Sequence, residues 1–455
     1  MELGEGLPAG ARRRAMATIA IAVAMSTLDV AIANIALPTI GRELAATPAA
    51  TIWVVNAYQF AMTVSLLPLA FLGDILGYKR IYMAGLVVFT IASLACALAT
   101  TLPLLVIARV VQGFGGAGIV SVNTALIRFI FPRAQLGRGL GFNALVVATF
   151  SALGPSIAAA VLSVASWHWL FAVNVPFGGL ALWLAARALP ATPQAGHRFD
   201  VLSALLNAAT IGLVIVAVDG LGRRAGTTEI IELVLAVLIG TVFIYRQLHL
   251  AVPLLPVDLF RRPVFALSVG TSVASYLAQT MAYVAMPFYF QDVAGLSQID
   301  TGLMMTPWPA IVVIVAPISG RLSDRYPAGV LGTMGLAAMT AGLVSLLLLP
   351  PVPGYAEVAW RMALCGIGFG FFQAPNNRLL LGSAPRERSG AGSGMMATAR
   401  LTGQTLGSAL VALSFGLTGA RAGAEVAHGT TLALGIAIAS SAIAMVVSAM
   451  RLRAR

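Results

Sequence analysis

The chain has 455 residues, of which 59% are hydrophobic and only 10% are charged. Soluble domains carry about 25% charged residues, so this composition excludes a water-soluble globular protein, and its high hydrophobicity excludes intrinsic disorder. The net charge of +12 comes from basic residues spread through short gaps between apolar runs. That distribution is typical of cytoplasmic loops in membrane proteins and argues against a nucleic-acid-binding surface.

The predicted elements are fourteen apolar segments, each long enough to cross a bilayer as a helix of about 20 residues. We expect all of them to be α-helices, because irregular backbone is not tolerated against lipid and because the runs do not alternate as membrane β-strands do. The predicted fold class is therefore an all-α integral membrane protein. The segments lie at about residues 15–37, 51–72, 80–99, 103–125, 139–162, 167–188, 201–220, 230–248, 265–290, 302–320, 329–350, 358–380, 391–416 and 430–450.

The basic residues predict the orientation of these spans. An even number of spans places both termini on the same side. If that side is the cytoplasm, 21 of the 28 basic residues fall in cytoplasmic segments and 5 in outer segments, while Arg109 and Arg400 fall within spans. Because cytoplasmic loops are enriched in Lys and Arg, we expect cytoplasmic termini in a multi-pass protein of the cell inner membrane. The first run is too long for a cleavable signal peptide.

The chain repeats itself at an offset of about 250 residues. Six spans alone would give an offset of roughly 200 residues, and the extra length fits one inserted pair of helices. We predict an N-terminal six-helix bundle over 1–188, two inserted linker helices over 189–264 and a C-terminal six-helix bundle over 265–455, with the substrate site between the bundles. The matches have offsets of 250, 252 and 253: Ala70–Asp74 with Gly320–Asp324; Arg109, Gly116 and Gly118 with Arg361, Gly368 and Gly370; Gly141 and Gly154 with Gly394 and Gly407.

Six motifs lie in order on these spans and in one loop: Leu28–Pro38, Trp53–Tyr58, Gly73–Arg80, Arg109–Gly113, Trp167–Gly178 and Arg400–Gly407. Together they resemble the major facilitator superfamily, and more narrowly its fourteen-span drug:proton antiporter branch. The resemblance covers nearly the whole chain. It implies alternating access coupled to protons, with the proton as coupling ion and no other cofactor.

A further motif on the fifth span is similar to the helix-packing motif of the antiporters. It consists of Gly141, Gly154 and Pro155, and small residues at such positions allow helices to approach closely. Phe150, Ala158 and Ala159 stand where the family pattern has glycine. Of these differences from the family pattern, Phe150 concerns the assignment as an antiporter rather than the fold.

Asp29 is the one acidic residue that we place deep in a span, and an ionisable residue there is a functional hypothesis by default. Helix rise places Asp29 about 12 Å and Arg109 about 9 Å below the outer surface, so the two side chains could interact. We predict that they form the proton-coupling pair, because burial and a neighbouring arginine shift a carboxyl pKa in opposite directions. The alternative is a permanent ion pair that locks spans 1 and 4 together.

Amide and tyrosine side chains within spans form the predicted substrate wall, and Gln279 stands one repeat after Asp29. Polar groups inside a membrane usually face the bundle interior, although plain hydrogen bonding between helices is an alternative for each of them. The predicted substrate-binding residues are Asn34, Asn56, Gln59, Gln112, Tyr276, Gln279, Tyr283, Gln373 and Asn376.

The loop between spans 2 and 3 is a candidate cytoplasmic gate. Its glycines permit a tight turn, and Asp74 would pair with a basic residue or a helix N-terminus when that side closes. The alternative is an ordinary topology signal in a short loop. The gate candidates are Gly73, Asp74, Gly77, Lys79 and Arg80, with Asp324 and Arg325 as the second copy.

These observations predict a proton-coupled exporter of small amphipathic compounds, with cations as the expected substrates. An exporter of one specific metabolite and a passive channel are the alternatives. We expect no enzyme, because no nucleophile is paired with a base at one depth, and no phosphate-binding loop for ATP. Cys96 and Cys365 are expected to be small core residues, with no metal site. The expected partners are the substrate, protons and the lipid bilayer, without nucleic acid; the chain could be a monomer, and periplasmic accessory partners stay open.

Overall fold

The computed structural model describes residues 6–132, 135–194, 196, 199–223, 226–250, 253–350, 353–383 and 389–452. Within these ranges the chain forms α-helices, one short 3₁₀ helix and one π-helical turn, with no β-strand. The predicted all-helical class is therefore confirmed for the described residues. Seven arginines used to predict the orientation lie outside them: Arg133, Arg198, Arg224, Arg386, Arg388, Arg453 and Arg455.

Seventeen α-helices are present in the described chain. The N-terminal half consists of α1 (Ala9–Glu43), α2 (Pro48–Thr51), α3 (Trp53–Leu76), α4 (Tyr78–Ala97), α5 (Leu102–Ile130), α6 (Leu136–Leu162), α7 (His168–Ala172) and α8 (Asn174–Ala188). The inserted pair is α9 (Val201–Arg223) and α10 (Thr227–His249). The C-terminal half consists of α11 (Pro263–Phe288), α12 (Gln298–Met305), α13 (Pro307–Leu322), α14 (Ala328–Leu347), α15 (Tyr355–Ser383), α16 (Ser389–Leu417) and α17 (Ala424–Met450).

Short helices precede three of the long ones, so α2–α3, α7–α8 and α12–α13 each continue as one segment and the helices form fourteen segments. Eleven of these are long and apolar enough to cross a membrane. The described parts of the other three, α11, α15 and α16, do not meet that measure of length and composition. These three helices pack against one another in the C-terminal half. The prediction of fourteen spans is therefore confirmed in part.

The first helix is longer than its predicted span. It continues through Pro38 to Glu43, whereas the sequence interpretation ended the span at residue 37. A proline removes one backbone donor, but a helix that continues keeps most of its remaining backbone groups paired. The extension brings Arg42 to the far end of the bundle, where it contacts the other half.

Matching glycine contacts support the internal repeat. A Cβ added at Gly115 would lie 2.9 Å from the carbonyl oxygen of Gly85, and one added at Gly368 would lie 2.6 Å from the carbonyl oxygen of Gly335. The two contacts are equivalent at offsets of 250 and 253 residues. The offset of 252 predicted for α5 and α15 was therefore wrong by one residue, and Arg109 corresponds to Met362 rather than to Arg361.

The contacts between the two halves differ between the ends of the bundle. We call the end with the first turn of α1 and the last turn of α17 the terminal face, and the other end the opposite face. The largest apolar cluster combines residues of both halves, including Ile40 and Val54 with Phe288 and Trp308. Toward the terminal face the described residues form two smaller, separate clusters, and α16 packs on α3.

The inserted pair lies at the periphery. α9 packs against α3 and α16, and α10 packs mainly against α9. Asn207 donates a hydrogen bond to the carbonyl oxygen of Val64 at 3.2 Å, and Trp53 donates one to Asp219 at 2.9 Å. The pair thus covers the outside of the seam between α3 and α16.

Candidate transport pathway

A closed polar cluster lies inside the N-terminal half. Arg109 on α5 donates to Oδ2 of Asp29 on α1, and both side chains are completely buried. Gln112, one turn after Arg109, donates to Oδ1 of the same carboxylate at 2.8 Å. The structure therefore brings together Asp29 and Arg109, which the sequence placed at similar depth, and Gln112, which the sequence assigned to the substrate wall. The carboxylate is paired with a positive charge, as a buried acid requires.

The same cluster contains residues that the sequence analysis did not select. Asn174, at the start of α8, donates to Oδ1 of Asp29 at 3.2 Å, and Ser93 on α4 accepts from Gln112 at 2.9 Å. The guanidinium of Arg109 lies 4.3 Å from the ring centre of Tyr58. Asn174 belongs to the motif at the entry of span 6, which could have directed attention to it.

A hydrogen-bonded lock joins the halves at the opposite face. Arg42 donates to Oδ1 of Asp292 at 2.6 Å and to Oε1 of Gln291 at 3.0 Å, and Gln291 donates to the carbonyl oxygen of Ile35 at 3.0 Å. Burial raises the pKa of Asp292, while the charge of Arg42 lowers it. Arg42 and Asp292 are 250 residues apart, so they are repeat-equivalent positions that meet between the halves. That offset was the signal by which sequence could have found them.

The gate candidates of the first half bond within that half. Asp74 accepts a hydrogen bond from the hydroxyl of Tyr78, and Lys79 donates to the carbonyl oxygens of Ala186 and Leu189 at 2.9 and 2.8 Å. Gly77 has a positive φ of 92°, as its place in the turn requires. Gly73 is buried against Val122 and Tyr78 of its own half, and Arg80 is exposed.

The second copy of the gate behaves similarly. Asp324 forms an ion pair with Arg378, which lies in the same half, and Arg325 is exposed. Within the described chain, no hydrogen bond or ion pair from the gate candidates reaches the other half. The terminal face is therefore not held closed by these residues in this conformation.

The predicted substrate residues of the second half divide into two groups. Gln373 donates to the hydroxyl of Tyr276 at 2.8 Å, and Tyr283 packs on Trp308 with 5.0 Å between ring centres. Gln279 is buried one turn before Tyr283. Asn376, in contrast, is engaged by the guanidinium of Arg451 near the terminal face and bonds Ser272 at 2.7 Å.

The amides of the first half have different surroundings. Gln59 accepts from Ser408 at 3.0 Å and so joins α3 to α16. Within the described residues, the buried amide of Asn56 has no hydrogen-bond partner, and neither does the side-chain oxygen of Asn34. Unpaired buried polar atoms carry a desolvation cost, so these two side chains are open to a ligand, to water or to a change of conformation.

The helix-packing motif of α6 is only partly used for close packing. Gly154 lies directly against Ala31 of α1, and the carbonyl oxygen of Pro155 would be 2.6 Å from a Cβ added at Gly302 of the other half. Gly141 is exposed, and an added Cβ would meet no atom within 4 Å. Phe150 packs with the apolar cluster of the first half.

Metal-ion chemistry has no structural support in the described chain. No group of three or more His, Cys, Asp or Glu side chains that could hold a metal ion is found there. Cys96 and Cys365 are buried free thiols.

Comparison with known proteins places these features in a family. The profile of the Major Facilitator Superfamily matches residues 19–408. The chain is 53% identical to the uncharacterized transporter YebQ of Escherichia coli K12, covering 98% of this chain and 97% of that protein. It is 30% identical to the riboflavin transporter RibZ of Clostridioides difficile 630, covering 87% of each. It is 31% identical to the multidrug resistance protein Stp of Mycobacterium tuberculosis CDC 1551 / Oshkosh, covering 85% of this chain and 73% of that one.

Similar folds occur among solved structures. A bacterial homologue of the human lysosomal transporter Spinster, in an inward-facing and unoccupied conformation, matches with a TM-score of 0.70. The match covers 99% of both chains at 15% identity, so it concerns the fold alone. The family resemblance predicted from the motifs is confirmed by these comparisons.

Proposed function

Because this chain belongs to the major facilitator superfamily of membrane transporters, we propose that it is a proton-coupled exporter of small amphipathic compounds. The observation that carries the proposal is the buried cluster of Asp29, Arg109, Gln112 and Asn174. The multidrug resistance relative supports an exporter of several compounds. The riboflavin transporter supports the second candidate, an exporter of one metabolite.

Proton binding at Asp29 would act as the switch. A proton on Oδ2 neutralises the carboxylate and removes the attraction that holds Arg109. The cluster joins α1, α5 and α8, so its rearrangement changes how α1 is seated in the first half. The same helix carries Arg42, about 20 Å further along its axis, at the lock of the opposite face. α1 therefore links the proton site to the contact that closes that face.

The different contacts at the two ends of the molecule support alternating access. We place the terminal face in the cytoplasm of the cell inner membrane, since most basic residues lie on that side. The conformation described here is then inward-facing, with the lock closed at the outer side. In the outward-facing state the halves would close at the terminal face, where Asp74 and Asp324 would act as gates.

The surroundings of Asp29 bear on the charge of the substrate. The expectation of a cation assumed that the carboxylate of Asp29 would be available to attract it. That carboxylate accepts hydrogen bonds from three side chains and has no exposed surface. In this conformation Asp29 serves the proton, and the substrate would contact other residues.

Transport by reconstituted protein under an imposed pH gradient tests the proposal. A panel of amphipathic dyes of positive, negative and zero charge is offered to proteoliposomes. We expect saturable, uphill transport of some dyes that stops when the gradient is dissipated and is lost in Asp29→Asn, while Glu425→Gln, a change of an acid at the start of α17, behaves as wild type.

Three outcomes would contradict the proposal. Uphill transport that survives loss of the gradient would exclude proton coupling. Flux that does not saturate would indicate a channel. Chemical alteration of the dye would indicate an enzyme.

A further inference from the structure

Arg400 is the second basic residue within the membrane-spanning region, and its surroundings differ from those of Arg109. It is the twelfth residue of α16, so it lies about 17 Å from the start of that helix, near the middle of the bilayer. The side chain is half-buried. In the described part of the chain it has no hydrogen bond to a side chain or carbonyl group and no ion pair with a carboxylate.

The packing of α16 shows which way Arg400 points. Gly403 and Gly407 face α11, where Cβ atoms added to them would lie 3.0 Å from Cβ of Tyr276 and 3.1 Å from Cβ of Thr280. Thr405 and Ser408 face α3, to which they are hydrogen-bonded. At 100° per residue, Arg400 lies between these two faces of the helix.

Arg400 therefore projects into the angle between α3 of the first half and α11 of the second. We call this angle the cleft; Tyr58 on α3 and Tyr276 on α11 belong to the helices on either side of it. The hydrogen-bonded pair of Tyr276 and Gln373 stands on the second-half side of the same cleft. The uncharged amide of Gln404 follows one turn later on α16, and it is also half-buried.

The charges in the membrane-spanning region do not balance at Arg400. The buried acid Asp29 is neutralised by Arg109, and both are fully enclosed. Arg400 then supplies a positive charge that no neighbouring carboxylate compensates. A cation of this kind inside a membrane is costly unless it has a partner, and a ligand anion in the cleft can be that partner.

We propose that Arg400 binds the anionic group of the transported compound, so that the protein exports amphipathic organic anions, such as aromatic carboxylates, rather than cations. The guanidinium presents parallel donors that match the two oxygens of a carboxylate. This inference names the substrate class for the proposed exporter and rests on that function.

The test uses aromatic carboxylates, their methyl esters as closely matched neutral probes, and one organic cation. Dansylglycine, other aromatic carboxylates and their neutral methyl esters are compared with tetraphenylphosphonium for equilibrium binding to purified protein in phosphatidylcholine nanodiscs. We expect the carboxylates to bind, Arg400→Gln to weaken them about tenfold or more, and the esters to be affected little. Arg400→Lys should keep part of the affinity, and Arg421→Gln, at an exposed arginine on the opposite face, should keep all of it.

Several results would overturn the inference. The first is a preference for tetraphenylphosphonium with no binding of any carboxylate. The second is equal carboxylate binding by wild type and Arg400→Gln. If phosphatidylglycerol added to the nanodiscs abolishes carboxylate binding, Arg400 holds a lipid headgroup instead. Should Arg400→Gln be poorly folded, the carboxylate-to-ester affinity ratio of Arg400→Lys decides, and a ratio equal to that of wild type contradicts the proposal.

The same measurements keep the inference and the proposed function apart. Binding is measured without a gradient, so it does not depend on proton coupling. Carboxylates that bind through Arg400 but are not moved uphill by a pH gradient would leave the anion site intact and contradict the exporter. Proton-driven transport of cations alone would leave the exporter intact and contradict the anion site.

Discussion

The two halves share a fold but treat buried charge differently. In the first half, the carboxylate of Asp29 and the guanidinium of Arg109 are enclosed and bonded to each other. In the second half, the position one repeat after Asp29 is the neutral Gln279, Met362 corresponds to Arg109, and Arg400 has no carboxylate partner among the described residues. A matched pair can respond to a proton, whereas an unmatched cation is available to a ligand. On the proposals made above, the first half would serve proton coupling and the second half substrate binding.

The largest expected effect comes from unpairing the charges of the first half. Arg109→Gln leaves Asp29 buried without its counter-charge, and loss of one partner of a buried pair costs about 3–5 kcal/mol. We expect little folded protein from this variant. The double variant Asp29→Asn/Arg109→Gln should recover folding but not proton-driven transport, as monitored by size-exclusion chromatography and proteoliposome flux. Normal folding of Arg109→Gln alone would mean that the pair is not the main stabilising contact.

A smaller effect is expected at the terminal face. If Asp74 acts as a gate, Asp74→Asn should favour inward-facing molecules and slow turnover several-fold, while equilibrium substrate binding stays nearly unchanged. Accessibility of a cysteine placed in the cleft, labelled from the terminal face, reports the conformation. Glu425→Gln is the comparison, because Glu425 lies in the first turn of α17, at the opposite face. Unchanged labelling and turnover in Asp74→Asn would reduce Asp74 to a topology signal.

Loss of the lock at the opposite face should have a modest effect. The side chain of Arg42 is 51% exposed, and ion pairs of this exposure are worth about 1 kcal/mol or less. Arg42→Gln should therefore increase the population of outward-open molecules, by no more than about fivefold. Distances between spin labels on α1 and α12 at that face measure the shift. A shift in the opposite direction would show that Arg42 does not hold the face closed.

The inserted pair should contribute least. Asp200 accepts from Ser203 and Arg246; although burial raises its pKa, these bonds lower it overall. A lowered pKa stabilises the fold above the unfolded-state pKa of about 4, and that contribution is lost as pH falls through the folded-state pKa. Asp200→Asn should reduce stability by less than about 1 kcal/mol at neutral pH, and less in acid. Thermal unfolding at two pH values measures this.

A change in the inserted helices α9 and α10 also tests where substrates bind. Asn207 bonds the backbone of α3 from outside the seam, and its side chain is 8% exposed. Asn207→Ala should leave substrate affinity unchanged, because α9 and α10 lie at the periphery. A large loss of affinity would place the inserted pair in the pathway.

Much of the fold followed from hydrophobic segment lengths, because every backbone group in lipid must be paired internally. The contact between Asp29 and Arg109 could be expected, since helix rise converts position into depth. The alignment of α5 with α15 in the repeat could not be fixed from the sequence. Both helices contain glycines two residues apart, so offsets of 252 and 253 residues align them equally well. Only the packing against Gly85 and Gly335 distinguishes the two offsets. Asn174 and Asp292 were not selected, although the first belongs to a motif and the second stands one repeat after Arg42.

The most direct test of the central claim is substrate-induced proton release, measured with detergent-solubilised wild-type protein and with the double variant Asp29→Asn/Arg109→Gln, which leaves neither charge unpaired, in weakly buffered solution. A transported dye is added, and the change in proton concentration is recorded with a pH indicator. If Asp29 is the proton-coupling residue, substrate binding changes the number of bound protons in the wild type but not in the double variant, whose binding should also lose its pH dependence. An equal proton signal from the variant would place the coupling site elsewhere and contradict the account.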